Sequence, residues 1–331
     1  MMTRRRFLAL MGAGAALAAL AGCEDSGGRA VAKRTSAKLM LDWVPNTNHT
    51  GLYVARENGY FEDENLDFEI IEPAEGGGPQ VVGAGKVEFG IGFQEFMTPA
   101  RLEGIPVVSI AAIIQHNTSG FASHADRGIT RPRDFEGKTY GGFGSPLELA
   151  FLRTMMEADG ADPDTLKTVD AGAADFLTII QRDVDLYWIF FAWQGVKAGL
   201  EGIEINTVFL RDWGVPDYYT PLLMTNESLI KNNPDVVAGT VAAIARGYEF
   251  AIEKPADAAE ILVAAAPETD AELVGPSQDW LSPEYQAEAS QWGYQDPGIW
   301  QQMSEWMVEN ELVDELLDWE SAFSNDFLPK R

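Results

Sequence analysis

The chain has 331 residues, with 24 Lys and Arg against 51 Asp and Glu, a formal charge of −27. Phosphate binding needs a basic face, so this balance argues against nucleic acid as a partner and against docking of the protein body on anionic lipid. One cysteine excludes an internal disulfide and a cysteine-based metal site, and three histidines with no HExxH pattern give no metal motif.

Thr3-Arg4-Arg5-Arg6-Phe7-Leu8 precedes an Ala/Gly/Leu-rich run that ends at Ala21. The run is short for a membrane span, which needs roughly 20 apolar residues, and has the layout of an export signal. Paired arginines before Phe7-Leu8 resemble a twin-arginine signal, with an ordinary Sec signal as the alternative. Leu20-Ala21-Gly22-Cys23 resembles a lipobox, which implies lipid on Cys23 and anchorage at the outer face of the cell membrane. Residues 1–22 are thus read as signal, and 23–36, polar and glycine-containing, as a lipidated tether.

Beyond the tether, strands are expected at Lys38–Asp42, Leu66–Ile71, Val87–Phe93 and Val107–Ile114. Helices are expected at Gly51–Asn58, from the glycine triplet 76–78 to about Gly85, and at Glu95–Glu103, the first and last closed by Gly59 and Gly104. That alternation predicts a parallel sheet covered by helices. A second set follows, with strands at Thr139–Gly142, Lys167–Asp170, Val184–Phe190 and Glu204–Leu210. Its helices are Pro146–Ala158, Ala173–Arg182 and Trp193–Leu200. From Asn226 on the chain is expected to be mainly helical, most clearly at Val236–Ile252 behind Pro234. The fold class is therefore α/β with two lobes, lobe I from 37–124 and 220–331 and lobe II from 125–219. The crossings are placed near Phe121-Ala122-Ser123 and Pro221-Leu222-Leu223-Met224.

In such sheets ligands bind beyond the carboxyl ends of the strands. That rule selects Trp43, Asn46, Asn48 and His49 after the first strand, then Phe93, Gln94 and Glu95, then Gln115, Asn117 and Thr118. In lobe II it selects Phe143, Ser145, Glu148, Trp188, Trp193, Tyr218 and Tyr219. These loops are rich in aromatics and amides and almost free of Lys and Arg, where an anion pocket would hold arginine. They suit a flat neutral or weakly basic heterocycle, stacked on rings and read at its edge by amides and a carboxylate. Each residue has a structural alternative: core for Trp43 and for one of Trp188 and Trp193, turn formation for Asn46 and Asn48, a satisfied imidazole for His49, helix-end electrostatics for Glu95 and Glu148. Gly141-Gly142-Phe143-Gly144-Ser145 lacks the lysine of a P-loop, and Gly144–Glu148 is not a Gly-x-Ser-x-Gly elbow. No catalytic set, cofactor or metal is expected.

Residues Leu41 to Ala55 (LDWVPNTNHTGLYVA) resemble the opening motif of the thiamine-pyrimidine-precursor binding proteins. Gly59-Tyr60-Phe61 followed by Leu66-Asp67, Gly104 to Ile110, and Gly247-Tyr248-Glu249-Phe250 are similar to the same family. The resemblance implies a type II periplasmic-binding-protein fold whose lobes close over a hydroxymethylpyrimidine or formylaminopyrimidine and hand it to the permease and ATPase of an ABC importer. It implies a monomer, joined to the membrane only through its lipid. Relatives that bind riboflavin leave another aromatic heterocycle as an alternative ligand. Fungal relatives are pyrimidine synthases using iron, a histidine and a cysteine-rich segment, which makes an enzyme on this fold the alternative of another class. A mature chain with no cysteine beyond its first residue argues against that branch. The segment Tyr187 to Trp193 departs from the pyrimidine binders.

Overall fold

A computed structural model of the chain describes residues 34–73, 77–172, 175–182 and 184–330. The signal, Cys23 and the tether up to residue 33 lie outside them, as do Gly76 and Ala173 of two expected helices. Among the described residues no helix is long and apolar enough to cross a membrane.

The first sheet holds β1 (Thr35–Met40), β2 (Leu66–Ile71), β3 (Phe89–Gly92), β4 (Val107–Ala112) and β10 (Leu222–Asn226), in the order β2-β1-β3-β10-β4. The second holds β5 (Ser119–His124), β6 (Thr139–Gly142), β7 (Lys167–Asp170), β8 (Leu186–Phe190) and β9 (Ile205–Phe209), in the order β7-β6-β8-β5-β9. The two sheets share one plan. Pairings β1–β2, β1–β3, β6–β7 and β6–β8 are parallel, while β10 and β5 run antiparallel to both their neighbours.

This corrects two expectations. The sheets are mixed, and the two stretches read as crossings are the antiparallel strands themselves. Every residue of β10 is buried, and so is β5 up to Ser123. A short strand covered on both faces shows no alternation, and periodicity does not mark it. The links between the sheets run instead through 113–118 and 210–221, with a cis Thr220–Pro221 bond in the second.

In lobe I, α1 (Thr50–Glu57), α2 (Tyr60–Asp63), α3 (Gly78–Gly83) and α4 (Gln94–Leu102) connect the strands. In lobe II the connections are α5 (Pro146–Ala158), α6 (Phe176–Arg182) and α7 (Val196–Leu200), the last preceded by a π-turn over Phe191–Gly195. The tail is α8 (Glu227–Asn232), α9 (Pro234–Glu253), α10 (Pro255–Ala265), α11 (Ala271–Leu281) and α12 (Pro297–Glu309).

Strand alternation sorts the core. Leu39 and Leu41 face the cluster of Leu52, Val241, Ile244 and Tyr248, while Met40 faces Val82, Met97, Met224 and Trp300. α12 serves both lobes: its Trp300 joins that second cluster, and Met303, Trp306 and Met307 join Phe121, Tyr140 and Phe151 of lobe II. Trp306 Nε1 also donates to Thr154 Oγ1 at 3.2 Å.

Candidate functional site

The loop after β1 is held from behind by the C-terminal helices. Tyr285 and Tyr248 donate their hydroxyls to the Thr47 and Asn48 carbonyls at 2.5 and 2.6 Å. Thr47 Oγ1 meets Ser277 Oγ at 2.7 Å, and Thr50 Oγ1 donates to Gln278 Oε1 at 2.6 Å. Asn46 accepts from the Asn48 N–H at 2.9 Å and donates to the Val44 carbonyl at 3.0 Å. His49 is fully buried, with Nε2 on Asp42 Oδ1 at 2.6 Å and Nδ1 accepting from the Asn46 N–H at 3.3 Å. Asn46 and His49 therefore build the loop, since their polar atoms are taken. What the loop presents outward is Trp43, 63% exposed, and Val44 beside it.

Lobe II presents Phe143, also 63% exposed, from the loop after β6. Ser145 caps α5 by accepting from the Glu148 N–H at 3.2 Å. Glu148 is buried, and its Oε2 accepts from Tyr140 Oη at 2.9 Å and the Phe143 N–H at 3.0 Å. Glu148, one of the two carboxylates expected at the site, thus engages its Oε2 within its own lobe, where it fixes the loop that carries Phe143. Both tryptophans are half-buried and pack on a core: Trp193 against Tyr53, Ala259, Leu262, Ala266 and Val274, and Trp188 against the lobe II cluster, edge-on to Phe151.

Between the lobes the remaining residues converge. Gln94 and Tyr219 pair through their backbones at 3.0 Å, and Gln94 Oε1 accepts from the Tyr219 N–H at 2.9 Å. Tyr219 Oη accepts from the Asp296 N–H at 2.7 Å, so its hydroxyl serves the start of α12. Asn117 Oδ1 accepts from the Ser119 N–H and hydroxyl, both at 2.7 Å. Gln115 donates to the Tyr294 carbonyl at 3.0 Å, and the Thr118 carbonyl accepts from the Phe191 N–H at 3.1 Å.

Several polar atoms here are buried without a well-formed hydrogen bond among the described residues: Gln94 Nε2, Glu95 Oε2, Asn117 Nδ2, Trp188 Nε1, Tyr218 Oη and Thr220 Oγ1, with the Thr220 hydroxyl set toward the Glu95 carboxyl and the Tyr218 hydroxyl toward Asn117 and Ser119. Leaving such a group unpaired costs about 1–3 kcal/mol, and Thr98 Oγ1, Thr207 Oγ1, Thr240 Oγ1 and Trp300 Nε1 are in the same state; the six named here are of interest because they include neighbours in the expected loops. Burial raises the Glu95 carboxyl to about 8, its own helix-end N–H and Thr220 offsetting only part of the effect. Burial also holds the Tyr218 hydroxyl well above its usual range, with Glu95 adding to the shift.

The two crossings are clasped beside this cluster. Asp217 Oδ1 accepts from the Asn117 and Tyr218 N–H groups at 2.8 and 3.0 Å, while Oδ2 meets His116 Nδ1 at 2.5 Å. His116 Nε2 lies 2.9 Å from Glu288 Oε2. The two carboxylates, Asp217 foremost, raise the imidazole to about 9.

A cavity of about 530 Å³ opens at the ends of β1 and β3, lined by Asp42, Gly77, Gln80, Phe93, Phe96 and Glu103 among others, with no Lys or Arg among the described residues of its wall. It borders the expected loops through Asp42 and Phe93 but lacks the unpartnered atoms.

Of the expected residues, Tyr218 lies near Glu95 and Asn117, Gln94 precedes Glu95, Trp188 and Tyr218 both pack on Phe151, and Trp43 and Phe143 are exposed rings, one per lobe. Thr220 and the clasp of His116 with Asp217 and Glu288 escaped the sequence. Asp217 adjoins the expected Tyr218, but nothing local pointed to its bridging role.

Two α/β lobes on one strand plan, joined by paired crossings beside buried unpartnered polar groups, define a protein of the periplasmic solute-binding fold. The periplasmic aliphatic sulphonate-binding protein SsuA of Escherichia coli superposes with a TM-score of 0.68 at 14% identity, over 89% of this chain and 94% of that one, which shows the fold. The chain belongs to the NMT1/THI5-like family, whose model matches residues 46–258. It is 29% identical over 314 residues to a formylaminopyrimidine-binding protein of Halalkalibacterium halodurans, covering 92% of this chain and 94% of that protein. It is 27% identical over 303 residues to a 4-amino-5-hydroxymethyl-2-methylpyrimidine phosphate synthase of Legionella pneumophila, covering 89% and 93%.

Proposed function

We propose that this chain is the substrate-binding subunit of an ABC importer and closes its lobes over a thiamine pyrimidine precursor of the hydroxymethylpyrimidine or formylaminopyrimidine type. The observation that carries this reading is the set of buried donors and acceptors without a well-formed hydrogen bond on Gln94, Glu95, Asn117, Trp188, Tyr218 and Thr220. Their mix of amide, hydroxyl, indole and carboxyl groups, without a lysine or arginine, suits the edges of a small neutral heterocycle. Trp43 and Phe143 would close on its faces. The relative from Halalkalibacterium halodurans supports the ligand class.

On this reading the protein works as a monomer, exported and held at the outer face of the cell membrane by lipid on Cys23. It meets the permease and ATPase in the closed form and performs no chemistry. Closure switches the protein only if the ligand favours the closed state by more than closure costs.

The synthase relative favours a second reading, an enzyme on the same fold. Against it, both ring nitrogens of His49 are already engaged in the loop. Calorimetry on the purified protein tests the choice, with the two pyrimidines, riboflavin and simple anions as ligands. Saturable binding of a pyrimidine, recovered unchanged, supports the importer subunit; turnover sinks it, and binding of riboflavin alone keeps the role but moves the ligand.

A further inference from the structure

Glu95 is the one carboxyl in the unpartnered cluster. It is 3% exposed, sits in the first turn of α4 at the end of β3, and its Oε2 has no well-formed hydrogen bond among the described residues. Glu148, the other carboxylate expected at the site, is spent on Tyr140 and Phe143. The groups set near Glu95 are neutral: its own backbone N–H and the Thr220 hydroxyl, which interact with the carboxyl and offset part of its burial, and the Tyr218 phenol, with Asp217 beyond Tyr218 on the same crossing. No cation offsets its burial, so the isolated ion is disfavoured and the carboxyl is held as an acid that can donate as well as accept.

A neutral carboxyl presents one O–H donor and one carbonyl acceptor side by side. The complementary edge is a ring nitrogen adjacent to an exocyclic amine, where the nitrogen accepts and the amine donates. We propose that Glu95 is the specificity-determining residue of the site and reads this amidine-like edge of a heteroaromatic ligand. One proton is shared along the pair: it rests on the carboxyl with a neutral ring, or on the ring nitrogen with a carboxylate. Both forms hold the same number of protons, and neither needs another charged group. The inference rests on the proposed ligand class but reaches past it, because any ring with that edge qualifies.

Proton sharing has a pH signature. Burial raises Glu95 to about 8. Above that value the free protein must take up a proton to bind a neutral ring, so affinity falls about tenfold per pH unit.

The test is calorimetric binding to the full protein, with folding of each variant checked by its melting curve. Ligands are 4-amino-5-hydroxymethyl-2-methylpyrimidine, the same ring with methyl replacing the amine, and adenine as an unrelated ring with the same edge. We expect loss of the amine, or Glu95→Leu, to weaken binding by about 100-fold or more. Glu95→Gln also pairs one donor and one acceptor with that edge, so it should stay within about tenfold of wild type and show a flat pH profile. Equal binding of the methyl analogue, wild-type affinity in Glu95→Leu, or equal losses in Glu95→Gln and Glu95→Leu would each overturn the assignment. Glu95-dependent binding of adenine alone would overturn the pyrimidine reading and leave the assignment standing; binding of none of the amine-bearing rings overturns both.

Discussion

Trp43 and Phe143 are rings that the fold leaves in solvent while the polar loops around them are tied down. Replacing Trp43 by Ala should weaken pyrimidine binding by roughly 1–3 kcal/mol, the worth of a buried aromatic contact. Because the ring is 63% exposed in the free protein, the melting point should hardly change, with stability within about 0.5 kcal/mol. Loss of stability without loss of affinity would return Trp43 to a packing role. Glu148 predicts the reverse. Removing its carboxylate with Glu148→Ala strands the Tyr140 hydroxyl and the Phe143 N–H, and should cost about 1–3 kcal/mol of stability. The strand-end rule brought Glu95, Asn117 and Trp188 into view from sequence, since it depends only on locating strands. It could not say that Glu148 turns inward, because that is decided by a tyrosine eight residues earlier. Nor could it find Thr220, whose place follows from Gln94 pairing with Tyr219 across 125 residues.

Helices α1 and α9 meet at two glycines that both lie in the motifs resembling the pyrimidine binders. A Cβ on Gly247 would run into the Gly51 carbonyl oxygen, and one on Gly51 into the Tyr248 ring. The close approach seats Tyr248, stacked 4.6 Å from Trp292, so that its hydroxyl reaches the Asn48 carbonyl. Gly247→Ala must push backbone rather than a flexible side chain, so a destabilisation of about 1–3 kcal/mol or more is expected by denaturant melting. Weakened pyrimidine binding should accompany it, since the loop carrying Trp43 rests on that contact. The helices themselves were legible: Pro234, the apolar face of Val237, Val241, Ile244 and Tyr248, and closing glycines elsewhere are local signals. So were eight of the ten strands among the described residues. β5 and β10 were not, because each is a five- or six-residue run inserted antiparallel between strands distant in sequence. Nothing local distinguishes such a run from the link beside it.

At the scale of the molecule, the pH response follows from groups whose protons are displaced by the fold. His116 bridges the first crossing to Asp217 on the second and to Glu288 of the tail, and is raised to about 9. A raised base stabilises fully below its ordinary value near 6.5 and loses that contribution as pH climbs through 9. Glu95, raised to about 8, has the same sign over a lower window: the fold favours its acid form below the ordinary 4.5, and the advantage is lost as pH rises towards 8. Asp159 has the opposite sign. Arg131 above all holds it down to about 2, so its contribution is present above its ordinary value of 3.8 and disappears as pH falls through 2. Together these place maximal stability in mildly acid solution, with a decline towards pH 9. His116→Asn should remove the upper part of that decline and cost about 1.5–3 kcal/mol at pH 6, the worth of hydrogen bonds to a charged group. By pH 10 the variant and the wild type should have converged, because the imidazole is then neutral in both the folded and unfolded chain. Glu95→Gln should flatten the part between 4.5 and 8 and leave the upper part intact. Melting curves of the three proteins across pH 5–10 separate the clasp from the site: a difference between His116→Asn and wild type that persists undiminished at pH 10 would mean that the crossings are held by packing rather than by the charged pair.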